Sequence, residues 1–379
     1  MSGEKGFARA TPFHVRAAAA NRDNAWTTRN GVTLSSFYED AGDEALAARS
    51  RVAIADISWR WRATIEGPRA GEFLSRLLTR DPAKLDPGQA LKALWLSDAG
   101  GVRGAGLVAR FGRESFQLVC AAPDREWIAA AASSFAVAPR DILEAEGGLA
   151  IVGPYARATL AACGLDTDLE PLAFRKLSWR GLDLTLSRWG EHGGYELWCK
   201  SDDGIVVWDR LMRAGVAFGI APAGLAAQDL LDIEAGIARP GRDYKPAREA
   251  FAKVPTPLAL GLESLIDDDH QDFNGRDAWL RARPMETRRL AGIEFDGDTP
   301  APFTPLLRDN KTVGHTLTSA FSPALRRAIA LAQVDTAVVQ PGTVLSLMLP
   351  PSLGIPESRT ALVRVASLPF LPAPDQIAP

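Results

Sequence analysis

Long hydrophobic runs are missing from this 379-residue chain, and nowhere does it approach the roughly 18 uninterrupted apolar residues a membrane span requires. The first thirty residues carry Arg9, Arg16, Arg22 and Arg29 and no apolar stretch, which argues against a signal peptide or membrane anchor. Cysteine is scarce: Cys120, Cys163 and Cys199 are too few and too scattered for a disulfide framework or a zinc site. Four histidines with no His-x-x-x-His pair give no basis for a resident transition metal. A surplus of one charge is also missing. The 43 basic and 46 acidic side chains leave a formal charge of −3, so there is neither a basic footprint for nucleic acid nor an acidic tail. These absences lead to the expectation of a soluble, cytoplasmic protein that handles a small-molecule substrate.

What is present is a globular composition, 46% hydrophobic and 23% charged, with length enough for two or three domains. Val52–Asp56 reads as a short strand, and Trp61–Glu66 alternates apolar and polar residues as a half-buried strand does. Gly67-Pro68 breaks that strand, and Ala70 to Leu78 resumes at helical spacing with Phe73, Leu74, Leu77 and Leu78 on one face. The same order returns at Leu149-Ala-Ile-Val-Gly153-Pro154 and Ala156–Ala162, about 85 residues later, which points to an internal duplication rather than a solenoid. Between the copies, Leu91–Leu96 and residues 106–119 read as antiparallel strands joined by a turn at Ser97-Asp-Ala-Gly-Gly101. Helices are predicted over 205–214, with Gly215 as its C-cap, and over 225–235, ended by Gly236. Beyond Arg288 the texture becomes short β-like runs (290–295, 312–318, 328–334, 344–349, 361–365) between Pro and Gly turns, as in a barrel.

The collinear order of these pieces resembles the glycine-cleavage T-protein family of folate-binding aminomethyltransferases. Asp56-Ile-Ser58, Ile65-Glu-Gly-Pro68 and Phe73-Leu74 resemble its opening, and Gly100-Gly-Val102 its central turn. Gly194-Tyr-Glu-Leu197 and Gly224-Leu-Ala-Ala-Gln-Asp229 to Ile233-Glu-Ala-Gly236 resemble its most telling stretches. Thr256-Pro-Leu258, Phe273-Asn-Gly275, Val313-Gly314, Phe321-Ser-Pro323 and Leu368-Pro-Phe370 follow in the family's order. The resemblance implies an α+β fold: a three-subdomain cloverleaf around a central hole, with a duplicated α/β folate-binding region and a C-terminal β-barrel. It divides the chain into a lead-in (1–48), a folate-binding body (49–285) and a barrel (286–379). It also implies that reduced folate, tetrahydrofolate, enters the hole.

Carried over residue by residue, the resemblance makes Glu196 the carboxylate that accepts the N–H groups of the pterin edge. The neighbouring loop Gly190-Glu191-His192-Gly193 departs from the family, so Glu191 stands beside Glu196 as an alternative. Gln228 stands where the family has a folate-binding arginine, and Asp232, four residues on, also replaces a common arginine. The segment Gly100-Gly-Val-Arg-Gly-Ala-Gly106 lacks the family's acid, the sharpest loss falling at Gly104, since a glycine has no side chain to move a proton. Arg103 in that turn is a candidate for an anionic substrate or phenolate. Asp243 matches a family acid, and Tyr244 beside Lys245 is a candidate general acid if its pKa is lowered. Of the ten tryptophans, Trp59, Trp61 and Trp189 are candidates for stacking on a flat ring, Trp189 on the folate. His192 is the one histidine near the presumed site.

Three functions follow. The first is tetrahydrofolate-dependent methyl transfer, a demethylation of a small aromatic or anionic substrate. The second is a folate-independent lyase that releases formaldehyde from a hydroxymethyl-bearing aromatic compound. The third is a non-catalytic folate-binding protein.

Overall fold

The strand–Gly-Pro–helix unit occurs twice, as the strand Trp61–Glu66 with the helix Ala70–Leu77 and the strand Glu146–Val152 with the helix Ala156–Ala162. The structure, a computed structural model, describes residues 8–190, 192–248, 255–349 and 359–374; Glu191, one of the proposed folate contacts, lies outside them. The turn glycine has φ +130° at Gly67 and +126° at Gly153, a region closed to most side chains, so the two copies make the same bend. In the first helix Ala70, Phe73, Leu74 and Leu77 are buried, as the 3.6-residue period requires.

Each copy sits in its own sheet. The first sheet has five strands in the order Ala90–Leu96, Val102–Gly112, Ser115–Cys120, Trp61–Glu66, Arg140–Asp141. The second has six: Phe174–Trp179, Leu182–Ser187, Tyr195–Lys200, Glu146–Val152, Val52–Asp56, Ile220–Ala223. Where one strand was expected over 106–119, the chain reverses at Arg113-Glu114, and Gly112 pairs with Ser115 across the hairpin. The two sheets are tied by Arg62. Its fully buried guanidinium pairs with Glu146, donates to Gln117 at 2.6 Å and lies 3.9 Å from the Trp198 ring.

Two expectations about helix ends meet different fates. The helix Leu225–Glu234 is closed by Gly236 at φ +73°. The helix Gly204–Gly215, however, runs on into a 3-10 turn, Val216–Phe218, and the left-handed residue is Gly219. Gly215 serves close packing instead: a Cβ there would lie 2.6 Å from that of Ile220.

The described part of the lead-in is not separate from the body. Strands Arg9–Ala10, Trp26–Arg29 and Val32–Ser35 form a small sheet, and fully buried Phe13 packs in one core with Val52, Ile54, Leu149 and Ile151.

The C-terminal strands close into a six-stranded barrel in the order Arg288–Phe295, Arg327–Asp335, Lys311–Ser322, Pro305–Arg308, Val344–Leu349, Arg359–Ala366. Its interior holds Ile293, Leu306, Ala330, Leu347 and Val365. Pro305–Arg308 is the strand that sequence patterning misses, being four residues long with a proline at its head. The barrel is fastened to the body at Glu234, the last residue of the helix Leu225–Glu234. This buried carboxylate accepts from Arg49 Nε and Ser322 Oγ, each at 2.6 Å, while its backbone carbonyl accepts from the Phe370 N–H. Arg49 in turn donates to the Pro372 carbonyl at 3.0 Å. Among the described residues no helix is long and apolar enough to cross a membrane.

Candidate functional site

Strand alternation decides which side chains of the five-stranded sheet face the space between the sheets. Lys92, Leu107 and Val119 are cross-strand partners, so they lie in one row on one face. Ala105 and Ala121 lie two residues along on the same face, and all five border a cavity of about 190 Å³. The opposite wall is Arg60, Trp189 and Glu196, and the segment Ile237–Pro240 with Leu262 and Leu265 completes it.

Gly104 points the other way. It pairs with Trp95 across the strands, and a Cβ on it would come within 2.1 Å of the Trp95 ring, which is fully buried in the core behind the sheet. The acid-free segment therefore meets the cavity through Ala105 and Gly106, not through Gly104. This corrects the position of the loss read from sequence: the residue whose side chain enters the cavity is Ala105.

Glu196, 1% exposed, is held from three directions. Arg60 donates to Oε1 at 2.6 Å, while the Trp189 and Trp198 indoles donate to Oε2 at 2.7 and 3.2 Å. A carboxylate offers about four acceptor positions, so about one is left for a ligand. Trp189 also packs at a tilt against Phe174, with ring centroids 5.2 Å apart, which restrains the indole that holds the carboxylate. Facing this pair is Lys92, whose ammonium has no carboxylate partner among the described residues. Cys120 borders the cavity too, but burial pushes its thiol up to about 12, so it stays protonated near neutral pH and is no nucleophile.

Behind the Ile237–Pro240 wall lies a charge network. Asp232 accepts two hydrogen bonds from Arg239, both at 2.6 Å, and His192 Nε2 sits 2.9 Å from its Oδ1. Burial alone would raise the Asp232 carboxyl, but the Arg239 guanidinium, with help from His192, outweighs it and holds the group well below the usual carboxylate range. The positive charge lost from the helix at position 232 thus returns on Arg239, which borders the cavity.

The remaining sequence candidates are placed elsewhere. Tyr244 is buried in the core with Ile233, Phe273 and Trp279, its hydroxyl lacks a partner among the described residues, and burial raises its pKa; the lowered pKa a general acid needs is absent. Asp243 is turned inward, accepting two hydrogen bonds from Arg242 at 2.8 Å and one from the Arg239 backbone N–H, so it shapes the loop. Arg103 pairs with Asp124 and lies over the Trp127 ring at 4.4 Å, beside a different surface depression. Gln228 donates to the Asp56 carbonyl at 3.4 Å and does not border the cavity. Trp61 donates to Asp141 at 2.8 Å and packs in the core behind the five-stranded sheet. His192 faces Asp232, and Trp59 borders an adjoining outer cavity. Of the described candidates, Glu196 and Trp189 meet in the central cavity.

Sequence reasoning passed over Arg60, Lys92 and Arg239. Lys92 left a signal: it is the one charge in the otherwise apolar strand Ala-Leu-Lys-Ala-Leu-Trp-Leu.

This architecture, two duplicated sheets around a cavity with a barrel fastened behind, is that of the glycine-cleavage T-protein family, and the chain belongs to it. The family's GCVT N-terminal domain matches residues 6–267, and its glycine cleavage T-protein C-terminal barrel domain matches residues 288–354. Among individual relatives, the aminomethyltransferase of Frankia alni is 35% identical over 309 residues, covering 79% of this chain and 83% of that one. The aminomethyltransferase of Pseudothermotoga lettingae is 30% identical over 310 residues, with the same coverage. The crystal structure of glycine cleavage system aminomethyltransferase T from Bartonella henselae shares the fold, with a TM-score of 0.85 at 23% identity over 97% of this chain and 99% of that one.

Proposed function

We propose that the chain is a one-carbon transferase that binds reduced folate in the central cavity and takes a methyl group from a small substrate, rather than an aminomethyl group. The observation that carries the reading is a fixed carboxylate, Glu196, facing a wall at Ala105 and Gly106 that bears no acid.

The residues present fit a reduced pterin. Glu196 keeps about one acceptor position for a ring N–H, and its orientation is set by Arg60 and the two indoles, so no side-chain entropy need be lost on binding. Leu107, Val119, Ile237, Leu262 and Leu265 supply the apolar surface a flat ring requires. Reduced folate, when bound, supplies the nitrogen that accepts the one-carbon unit. Ala105 cannot exchange a proton with a substrate amine, as the acid that the family resemblance implies would. Lys92, across the same face, can lend positive charge to a phenolate or carboxylate leaving group.

The test is calorimetric titration with tetrahydrofolate, followed by detection of methyl-tetrahydrofolate on incubation with methoxylated aromatic acids. Saturable binding and a methylated product are expected; no heat of binding to tetrahydrofolate would sink the proposal. The folate-independent lyase draws on a single observation, that Glu196 already accepts three hydrogen bonds within the protein. Formaldehyde appearing in folate-free buffer would favour it. Binding of tetrahydrofolate with no one-carbon product from any candidate donor would favour the non-catalytic reading.

A further inference from the structure

The central cavity adjoins a second, larger one of about 700 Å³, with which it shares Ala121, Arg239 and Pro240. The described side chains bordering this outer cavity include four arginines, Arg29, Arg239, Arg242 and Arg248, and no carboxylate. The carboxylates that balance them stand behind the wall. Asp229 takes both terminal nitrogens of Arg29, at 3.0 and 2.9 Å, and one of Arg242 at 2.9 Å. Asp243 takes two donors of Arg242, and Asp232 takes two of Arg239. The guanidiniums are thereby braced from the rear. The Arg29 guanidinium also lies 4.9 Å from the Trp59 ring centroid, which restrains it further.

Arg248 differs from the other three. Its described partners are the carbonyls of Ala122 and Pro123, at 3.3 and 2.9 Å, which neutralise no charge. A braced arginine wall and a guanidinium with no carboxylate partner among the described residues make a ready receptor for a carboxylate, because planar guanidinium pairs with carboxylate at low reorganisation cost.

Resting on the one-carbon reading above, we propose that this outer cavity binds a carboxylate of the one-carbon donor, with Arg248 as its principal contact, and that the donor's reacting end extends past the shared residues Ala121 and Pro240 into the central cavity. The substrate class is thus an organic acid, and the arginines select it against its neutral analogues.

The test is calorimetry on the full chain with benzoate and malonate as probes, against benzamide and malonamide, each with and without tetrahydrofolate. Each carboxylate is expected to bind roughly tenfold or more tightly than its amide. Arg248→Gln should erase that gap, and Arg248→Lys should restore most of it. Neither variant should change the affinity for tetrahydrofolate. Carboxylates that bind no better than amides, or a gap that survives Arg248→Gln, would overturn the proposal. So would a variant that weakens tetrahydrofolate while sparing the probes, since the arginines would then hold the folate's own carboxylates. If tetrahydrofolate fails to bind but Arg248-dependent carboxylate binding persists, the folate reading falls and the anion site stands.

Discussion

The two sheets that flank the central cavity descend from the same strand–turn–helix plan, yet they bring opposite surfaces to it. The six-stranded sheet and its flanks contribute Glu196, Trp189 and Arg60, a carboxylate locked by three donors. The five-stranded sheet contributes Ala105, Gly106, Leu107 and Val119, with Lys92 as its one charge. One half holds a polar group rigidly, and the other leaves room. The contrast shows that a duplicated scaffold fixes where side chains point without fixing what chemistry they carry.

The comparison can be broken most directly on the polar side. Glu196→Ala would leave the Arg60 guanidinium and two indole N–H groups without their acceptor, and should cost about 3–5 kcal/mol in denaturant unfolding. It should also abolish measurable folate binding. Unfolding within about 1 kcal/mol of the parent would show that the carboxylate is not held as described.

The bare side offers a sharper contrast between adjacent residues. Gly104→Ala places a methyl against the Trp95 ring and should cost about 1–3 kcal/mol, whereas Ala105→Ser, one residue away on the cavity face, should cost less than about 1 kcal/mol and change ligand affinity instead. Equal costs would mean that the facing of this strand is misassigned.

Next in size is the acid dependence carried by Asp232. Its carboxyl is held low in the folded protein, so it stabilises the fold above the ordinary carboxylate range, near pH 4, and that contribution drains away as pH falls through that range and below it. Asp232→Asn should lower the melting temperature at neutral pH and flatten its decline on the acid side. A variant melting curve that declines with acid as steeply as the parent's would remove Asp232 as the source.

The smallest effect is expected at Tyr244. Its buried hydroxyl has no described partner, so Tyr244→Phe should be neutral or stabilise by up to about 1 kcal/mol and leave turnover unchanged. A large fall in turnover would return Tyr244 to the chemistry.

The fold was largely legible because the cues were local. The Gly-Pro breaks after Glu66 and Val152 and the shift to short β runs beyond Arg288 each follow from backbone geometry that a few residues determine. The candidate site was read from the family resemblance and from residue type, and register decides which of those residues come together. Glu196 lies on the strand Tyr195–Lys200 and Trp189 two residues beyond the end of its partner strand Leu182–Ser187, and the hairpin brings them together. Tyr244 was chosen for the lysine beside it and Asp243 for its match to a family acid, but burial in one case and a bidentate arginine in the other decide their roles, and neither shows in a linear reading. Gly104 was named for a missing side chain, yet only the pairing with Trp95 reveals that any side chain there would enter the core.

The junction at Glu234 carries a consequence for how the molecule comes apart. Arg49 comes from the body, Ser322 from the barrel and Phe370 from the C-terminal segment, and all three donate to this one buried residue. Detaching the barrel would strand a carboxylate and a guanidinium together in a poorly hydrated cleft, so separation is opposed until the body itself opens. The protein should therefore denature in a single calorimetric transition, with its enthalpy matching the van't Hoff value, despite being built from parts that look independent.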